Sequence, residues 1–291
     1  MDYSEQYIKN LLPKRPEDSH KGTFGSVLNI AGSQFYSGAA FFSSISPLKV
    51  GCGKSTLASV ETVLRSVSAL SPDIILFPLK IKLLLAKLSE YNAISIGCGL
   101  STDGEAVKNF KLVINSLKNS ETPVVIDADG LNILAGAFSL ALCGRGRGEG
   151  VFLPQNTILT PHPKELSKIM KVSVDNILLQ PEFWAKKCCE KYDCTTILKL
   201  HKTVVADNKG HLYINNTGNS ALAKGGSGDV LTGMITGFIA QGLSPFDASI
   251  LAVYLHGKTA QIASKDLTEY SVLASDLLDY IHLAIKEISL K

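Results

Sequence analysis

Short runs of apolar and β-branched residues alternate with longer stretches of helical periodicity along most of the chain. The runs lack strict alternation of apolar and polar positions, which is typical of parallel strands that are buried on both faces. Helices of about 10 to 20 residues between the runs would cover the two faces of such a sheet. The predicted strands are 26–31, 56–60, 72–77, 93–97, 123–127, 157–160 and 195–199.

The pattern changes after residue 202. Two short apolar runs, 203–206 and 211–214, flank Asp207-Asn208-Lys209-Gly210, which is a hairpin signal. An antiparallel edge on the sheet is expected there. From residue 227 onward the periodicity is helical, in segments near 228–241, 245–264 and 274–289. The predicted fold class is therefore α/β, a three-layer α/β/α sandwich with a mostly parallel central sheet and an antiparallel edge hairpin.

Length and composition agree with one large α/β domain. The chain has 291 residues, of which 45% are hydrophobic and 19% charged, and no linker-like or low-complexity tract divides it. We therefore predict a single domain over residues 1–291 that begins with a polar leader, residues 1–22. The glycine- and arginine-rich stretch within 136–155 predicts a mobile loop.

Charge, cysteine content and the N-terminus exclude several classes of protein. The net charge of +3 is too small and too dispersed for a nucleic-acid binder. The six cysteines form no CxxC pair and are predicted to be reduced thiols. The first residues lack the basic and apolar regions of a secretory signal, and residues 22–48, although uncharged, are too polar for a membrane span. We predict a cytoplasmic protein that binds neither nucleic acid nor a membrane.

Two glycine-rich turns are candidate phosphate sites. Gly51-Cys52-Gly53-Lys54-Ser55 ends like a P-loop, but a helical pattern precedes it and a strand follows it, which is the reverse of a P-loop. We interpret this turn as a helix C-terminus that leads into a strand. The second turn, Gly225-Gly226-Ser227-Gly228, opens a helix, where backbone N–H groups and the helix dipole favour an anion. It predicts a phosphate or oxyanion cradle, and Asp229 after it either caps the helix or accepts a proton from an attacking hydroxyl.

Other polar motifs follow predicted strands, and ligands of open α/β sheets bind at the carboxyl ends of strands. His162 lies between two prolines. It either contacts a ligand or belongs to a rigid helix start, which the negative charge of Glu165 would stabilise. Asp127 and Asp129 follow another strand, where carboxylates either orient Mg²⁺-bound phosphates or cap a helix. The basic segment 199–203 lies either beside nucleotide phosphates or in a solvated turn.

Together and in this order, the motifs resemble those of the ADP- or ATP-dependent NAD(P)H-hydrate dehydratase family, which has the ribokinase-like fold. The resemblance extends over nearly the whole chain, from Gly25 to the helix after His256. The segments that carry it are Gly32-Ser33, Tyr36-Ser37-Gly38-Ala39, Asp127-Ala128-Asp129-Gly130-Leu131-Asn132, Thr160-Pro161-His162-Pro163-Lys164-Glu165, Asn216-Thr217-Gly218-Asn219, Gly225-Gly226-Ser227-Gly228-Asp229-Val230-Leu231 and Ala252-Val253-Tyr254-Leu255-His256-Gly257.

The resemblance implies an enzyme of cofactor repair. Such an enzyme uses ADP or ATP to phosphorylate the C6 hydroxyl of the 6S epimer of hydrated NADH or NADPH (NADHX or NADPHX). Phosphate, a better leaving group than water, then departs and regenerates NADH or NADPH. The resemblance also implies Mg²⁺ with the nucleotide, a separate NAD(P)H-hydrate epimerase as functional partner, and a homotetramer.

The family's site residues map onto matching positions of this chain. Asp229 is the implied catalytic base, and the amides from Gly225 to Gly228 stabilise the transferring phosphoryl group. Glu165 is expected to help place Mg²⁺. The expected contacts of the hydrated dinucleotide are Ala39, Gly99, His162 and Asp229, and those of the nucleotide are Lys199, Leu200, His201, Lys202, Thr203 and Gly228.

Two segments depart from the family pattern. The usual Gly-Pro-Gly-Leu-Gly is replaced by Gly97-Cys98-Gly99-Leu100-Ser101, and the Lys-Gly that opens the nucleotide segment is Lys199-Leu200. Leu200 is expected to affect which nucleotide binds, because its side chain fills space that glycine would leave for a phosphate.

Two other functions remain open from the sequence. One is a small-molecule alcohol kinase of the same fold, and the other is a nucleotide-binding regulator that has lost catalysis. His162 argues against the kinase, because the wider ribokinase-like group usually has asparagine at this position. The intact cradle and Asp229 argue against the regulator.

Overall fold

This computed structural model describes residues 3–142 and 153–290. Within these residues the apolar runs form nine strands of one sheet. The strands are β1 Ser26–Ile30, β2 Lys54–Ser59, β3 Ile75–Pro78, β4 Ala93–Ile96, β5 Val124–Ile126, β6 Thr157–Leu159, β7 Thr195–Leu198, β8 Val204–Ala206 and β9 Leu212–Ile214. Their order is β3-β2-β1-β4-β5-β6-β7-β8-β9. Neighbours from β3 to β7 are parallel, and β8 and β9 are antiparallel.

Helices cover both faces of this sheet, because successive strand residues point to opposite faces and both sets are apolar. Val27 belongs to one buried cluster and its neighbour Leu28 to the other. Helices α1–α3 and α10–α12 pack on the first face, and α4–α9 on the second. The helices are α1 Glu5–Asn10, α2 Ser37–Lys49, α3 Glu61–Leu70, α4 Ile81–Leu85, α5 Gly104–Ser116, α6 Asp129–Leu142, α7 Pro163–Met170, α8 Val174–Leu179, α9 Pro181–Tyr192, α10 Ser227–Ala240, α11 Pro245–Ser271 and α12 Ala274–Leu290.

Most of the predicted elements are confirmed. Each predicted strand overlaps an observed one, and the hairpin forms the antiparallel edge. The turn at 51–55 joins the end of α2 to the start of β2, as its interpretation as a helix C-terminus requires. The five cysteines of the described residues are free and buried, and Cys143 lies outside those residues. No helix in the described part of the chain is both long and apolar enough to cross a membrane.

Two expectations from the sequence differ from the structure. The predicted loop at 136–155 is wrong at its start, because α6 continues to Leu142, and residues 143–152 lie outside the described part. The polar leader contains α1, whose Ile8 is only 2% exposed. The Tyr7 hydroxyl of this helix donates a 2.6 Å hydrogen bond to Asp247 on α11. One apolar residue per turn in so short a helix gives no periodic signal, so the sequence pattern did not predict α1.

Helix α10 carries the glycine cradle at its N-terminus and packs directly on α2. A β-carbon on Gly233 would lie 2.6 Å from the Ser43 carbonyl oxygen. A β-carbon on Gly237 would lie 2.7 Å from Cα of Pro47 and 2.7 Å from Cγ2 of Val50. Both distances are shorter than van der Waals contact, so glycine sets how closely the two helices approach.

We expect Gly237→Ala to lower the free energy of unfolding by about 1–3 kcal/mol, because the added methyl overpacks the α2–α10 contact. Chemical denaturation monitored by circular dichroism measures the change. Gly136→Ala on α6 is the matched control, since a β-carbon there meets no atom within 4 Å. The control should gain up to about 1 kcal/mol from helix propensity. Equal effects in the two variants would contradict the packing argument.

Candidate active site

Four motifs meet at the carboxyl edge of the sheet because β4, β5, β6 and β7 are adjacent and parallel. Cys98 follows β4, Asp127 follows β5, His162 follows β6 and Lys199 follows β7. The first turn of α10 lies at the same place. A β-carbon on Gly228 would lie 3.6 Å from Nζ of Lys199 and 4.0 Å from Oδ2 of Asp127. The structure therefore brings the cradle, a cation and a carboxylate together.

The centre of this site is an ion pair between Lys199 and Asp127. Nζ of Lys199 lies 2.6 Å from Oδ1 of Asp127, whose side chain is 2% exposed. Thr232 donates a 2.6 Å hydrogen bond to Oδ2, and the N–H of Ala128 donates to Oδ1 at 2.8 Å. Burial alone would raise the pKa of Asp127, but Lys199 and these donors outweigh it and hold the pKa below its usual value. Asp127 is therefore ionised and fully engaged.

Asp229 lies in the first turn of α10 in a different environment. Burial, followed by repulsion from Asp127, raises its pKa to about 6. Its carboxylate oxygen, an oxygen of Asp127 and Sγ of Cys98 all lie within 4.8 Å of one another. A half-buried carboxylate with a pKa near 6 is ionised at neutral pH yet basic enough to accept a proton. This environment suits the predicted base.

The cradle is formed by the backbone. Gly226 precedes α10 with φ of 95°, and a β-carbon there would lie 2.8 Å from the Phe42 ring and 2.8 Å from Cβ of Ala274. The Ser227 hydroxyl donates to the Leu222 carbonyl at 2.7 Å, so it points away from the turn. No side chain among the described residues caps α10 from its N-cap position. The N–H groups of Gly228 and Asp229 are thus available to an anion, whereas that of Ser227 donates to the Lys224 carbonyl at 3.4 Å.

His162 is the N-cap of α7. Its Nδ1 accepts hydrogen bonds from the N–H groups of Lys164 at 3.1 Å and Glu165 at 3.3 Å. In return, Oε2 of Glu165 accepts from the His162 N–H at 2.8 Å. This capping box confirms the stiffened helix start, while the side chain stays 47% exposed and can still meet a ligand. Burial and the nearby Lys199 lower the pKa of His162, which keeps the ring neutral.

Ala39 and Gly99 form one rim of the site. Gly99 has φ of 60°, and a β-carbon there would lie 2.9 Å from Cβ of Ala39 and 2.6 Å from Cβ of Tyr36. The N–H of Gly32 donates a 2.9 Å hydrogen bond to the Cys98 carbonyl and holds this turn against the end of β1. The two predicted substrate contacts, Ala39 and Gly99, are therefore neighbours. Gly99 directly follows Cys98, whose Sγ lies within 4.8 Å of an oxygen of Asp229.

Within the segment 199–203, only Lys199 takes part in the ion pair with Asp127. Leu200 packs its side chain against the cluster beneath α4–α9. The Thr203 hydroxyl donates to the Leu200 carbonyl at 3.0 Å, while the side chains of His201 and Lys202 are exposed. The leucine that replaces the family's glycine is accommodated by the core, and its side chain leaves the cradle free.

Sequence reasoning missed two contributors to the site. Thr232 lies three residues after Asp229, one turn further along the same face of α10, and this spacing is the signal that points to it. Cys98 is visible in the sequence only as a departure from the family pattern. Neither residue type by itself predicts a contact with Asp127 or Asp229.

A model of the NAD(P)H-hydrate dehydratase family matches residues 27–283. The ADP-dependent (S)-NAD(P)H-hydrate dehydratase of Neisseria meningitidis serogroup B is 36% identical over 270 residues, which cover 92% of this chain and 86% of that protein. The chain belongs to the NAD(P)H-hydrate dehydratase family. The resemblance drawn from the motifs is thereby confirmed.

Solved structures confirm the fold. The Bacillus subtilis ADP/ATP-dependent NAD(P)H-hydrate dehydratase, co-crystallised with ATP and Mg²⁺, has a TM-score of 0.84 at 32% identity and covers 98% of both chains. A ribokinase-like superfamily protein of Enterococcus faecalis has a TM-score of 0.87 at 25% identity, with 99% of this chain and 96% of that chain covered. The predicted ribokinase-like α/β/α sandwich is correct.

We expect Asp127→Asn to lower the free energy of unfolding at pH 7 by about 3–5 kcal/mol, because Lys199 loses its partner. The lowered pKa of Asp127 gives the sign of the pH dependence. The stabilisation is complete above its usual pKa of 3.8 and disappears as the pH falls through the lower value in the folded protein.

Urea denaturation of both proteins between pH 7 and pH 3 measures this difference, which should shrink at the acid end. The control is Glu61→Gln, which breaks the exposed Arg65–Glu61 pair and should change stability by less than about 0.5 kcal/mol. A pH-independent loss in Asp127→Asn would show that the carboxylate charge is not what stabilises the site.

Proposed function

We propose that this chain uses ADP or ATP to dehydrate the 6S epimer of NADHX and NADPHX, and that Asp229 is the base of the phosphoryl transfer. The observation that carries the assignment is the placement of Asp229 in the first turn of α10, directly after the cradle, with a pKa of about 6. Asp127 does not suit the role, because Lys199 and Thr232 occupy its oxygens.

The proposed step begins with the substrate C6 hydroxyl beside Asp229. The Asp229 carboxylate takes the proton of this hydroxyl. The hydroxyl oxygen attacks the terminal phosphorus of the nucleotide, and the bridging P–O bond to that phosphorus breaks. The product is a phosphate ester. The lone pair of the ring nitrogen then expels phosphate from C6, and loss of a proton from C5 to the departing phosphate or to solvent restores the C5=C6 double bond of the reduced nicotinamide.

The cradle and Lys199 stabilise charge in this step. N–H groups at the start of α10, with the helix dipole behind them, face the oxygens of the transferring phosphoryl group. Lys199 lies next to Gly228 and is positively charged. Burial alone would lower the pKa of Lys199, but attraction to Asp127 and Glu165 outweighs it and raises the pKa. We assign the nucleotide to this side, where segment 199–203 and Gly228 meet.

Mg²⁺ requires oxygen ligands and keeps several waters. Cys98, Asp127 and Asp229 lie within 4.8 Å of one another, but a thiol is a poor ligand for this ion and Asp127 is occupied by Lys199. Glu165 is the remaining candidate: it is a carboxylate near Lys199 whose pKa is raised to about 7, chiefly by burial, and whose Oε2 accepts the His162 N–H, so Oε1, 3.3 Å from Nε2 of His162, is the oxygen left for the ion. When bound, the ion would neutralise phosphate charge, held by phosphate oxygens and Glu165.

The hydrated dinucleotide is assigned to the opposite side of Asp229. Ala39 and Gly99 border this side, whereas His162 follows β6, next to β7 and Lys199, and offers its half-exposed ring as a contact from there. Family membership favours the dehydratase over an alcohol kinase, although cradle and base would serve both. A cytoplasmic location, a homotetramer and a separate epimerase remain predictions.

Hydrated NADH and hydrated NADPH, incubated with purified protein and Mg²⁺, test the function. Recovery of reduced-nicotinamide absorbance should require a nucleotide, and parallel reactions with ADP, ATP and neither identify the donor. Phosphorylation of an alcohol substrate without recovery of absorbance with either nucleotide would support the kinase instead.

Asp229→Asn should lower turnover by at least about 100-fold, because it removes the base and keeps the cradle. Its Kd for the nucleotide should stay within about twofold of the original, as measured by calorimetry. Asp103→Asn is the matched control: Asp103 caps α5 by accepting the Ala106 N–H at 2.9 Å, a role that asparagine keeps, so turnover should change little. A few-fold loss in Asp229→Asn would exclude Asp229 as the base.

Two substitutions separate the contributions of His162. His162→Ala removes both the ring and the cap, whereas His162→Asn keeps a good N-cap. If the ring contacts substrate, both variants should raise KM for the hydrated cofactor about tenfold, a typical loss for one polar contact. Only His162→Ala should lose about 1 kcal/mol of stability. A normal KM in His162→Asn would show that the residue acts only through the cap.

A further inference from the structure

A groove of about 760 Å³ runs along the first two turns of α6, beside the candidate active site. Thr102, in the loop after β4, borders it on one side, and Lys168 and Lys171 at the end of α7 border it on the other. Asn132 and Gly136 of α6 lie between them. The proposed phosphoryl transfer uses none of these residues.

The groove begins where the hydrated dinucleotide is assigned. Gly99 lies three residues before Thr102, and His162 is the N-cap of α7, the helix that leads to the two lysines. The Ser101 N–H donates a 2.9 Å hydrogen bond to Asp129 and holds the loop after Gly99 against the first turn of α6. A substrate that contacts both Gly99 and His162 therefore lies across the start of α6, where the groove opens.

The rest of the dinucleotide needs a path out of the site. With the hydrated ring at Asp229, the pyrophosphate and the adenosine extend beyond it, and NADPHX carries in addition a phosphate on the adenosine 2′-oxygen. The cradle and segment 199–203 are assigned to the phosphoryl donor. The groove lies on the sheet face opposite to α10, so it leads away from the cradle and leaves the donor side free.

The charge of the groove suits a phosphate. Lys168 lies in the last turn of α7, and Lys171 is its C-cap three residues later. Nζ of Lys168 donates to Oδ1 of Asn132 at 2.8 Å, a neutral acceptor that leaves the positive charge uncompensated. Among the described residues, neither lysine forms an ion pair with a carboxylate. Asp129, which also lines the groove, already accepts from the Ser101 N–H.

The shape of the groove suits a flat base. Ala135 and Gly136 are its small lining residues on α6, and a β-carbon on Gly136 would meet no atom within 4 Å. A purine ring can therefore lie close to the helix backbone, with Thr102 and Asn132 as polar groups for its edge. Lys171 has φ of 57°, a conformation in which glycine would end the helix at lower cost. The lysine there places a second cation at the border of the groove.

We propose that this groove binds the adenosine half of the hydrated dinucleotide, that Lys168 and Lys171 bind its 2′-phosphate, and that the chain therefore prefers NADPHX to NADHX. This binding mode rests on the proposed function, because it presumes that the hydrated ring lies beside Asp229. Each ammonium group makes a charge-assisted hydrogen bond to the phosphate. NADHX has a hydroxyl in place of this phosphate and gains little from the two cations.

Lys168→Gln and Lys171→Gln remove the charges and keep polar side chains. At saturating nucleotide, each should lower kcat/KM for NADPHX about tenfold, the loss typical of one charge-assisted hydrogen bond, and leave kcat/KM for NADHX within about twofold. The double variant should lose the preference for NADPHX. An equal loss with both substrates would overturn the proposal, because it would place the lysines at a part that the two dinucleotides share.

Lys108→Gln is the matched control. Lys108 is an exposed lysine of the neighbouring helix α5 and lies outside the groove. This substitution changes the net charge by the same amount and should leave both kcat/KM values unchanged, whereas Lys168→Arg keeps the charge and should keep the preference. The same loss of preference in Lys108→Gln would assign the effect to long-range attraction of an anionic substrate and overturn the proposal.

Equilibrium binding gives a readout that does not require turnover. With ADP and Mg²⁺ filling the nucleotide site, calorimetry at constant ionic strength measures Kd for NADPH and for NADH. The unmodified protein should bind NADPH at least about tenfold more tightly, and the double variant should bind both equally. Equal affinities in the unmodified protein would overturn the proposal. Absence of dehydratase activity together with a lysine-dependent preference for NADPH would refute the proposed function and support the groove as the site of the 2′-phosphate.

Discussion

The buried ion pair of Lys199 and Asp127 is the interaction on which the rest of the site depends. It joins the ends of β7 and β5, and Thr232 adds α10 to the same carboxylate. Removing two charges from water is costly unless hydrogen bonds satisfy them, and here Lys199, Thr232, the Ala128 N–H and, at 4.0 Å, the Cys98 thiol donate to Asp127. The pair therefore fixes α10, and with it the cradle, over the carboxyl edge of the sheet.

The same pair gives the two carboxylates different properties. Asp127 receives the cation and the donors and stays ionised, whereas Asp229, close to it, is exposed to its repulsion and has a raised pKa. Environments that separate the pKa values of neighbouring acids commonly assign them different chemical roles. One acid here organises the site, and the other is left with the proton affinity that a base requires.

The elements that sequence could predict are those governed by local pattern. The apolar runs predicted the strands, and the glycines before an apolar helix predicted the cradle. The ion pair joins residues 72 apart in sequence and the Thr232 bond joins residues 105 apart, and no local pattern encodes such contacts. For the same reason, the sequence predicted Asp229 as the base but left Asp127 and Asp129 open between Mg²⁺-bound phosphate and a helix cap until the fold gave each its neighbours. The length of α6 was misjudged because glycines and arginines beyond it gave a stronger local signal than its apolar face.

The positions that depart from the family pattern show how much such a site tolerates. Ser101 has φ of 74°, a conformation that favours glycine, yet its N–H donates to Asp129 and its hydroxyl donates to Asp103 at 2.9 Å. These bonds offset part of the conformational cost. Leu200 turns its side chain to the core. The Ser101 hydroxyl and the Leu200 side chain therefore contact Asp103 and the core, whereas Sγ of Cys98 lies 4.0 Å from Oδ2 of Asp127. Of the three departures, only the cysteine places a polar side-chain atom among the acids of the site, because its Sγ lies within 4.8 Å of oxygens of both Asp127 and Asp229.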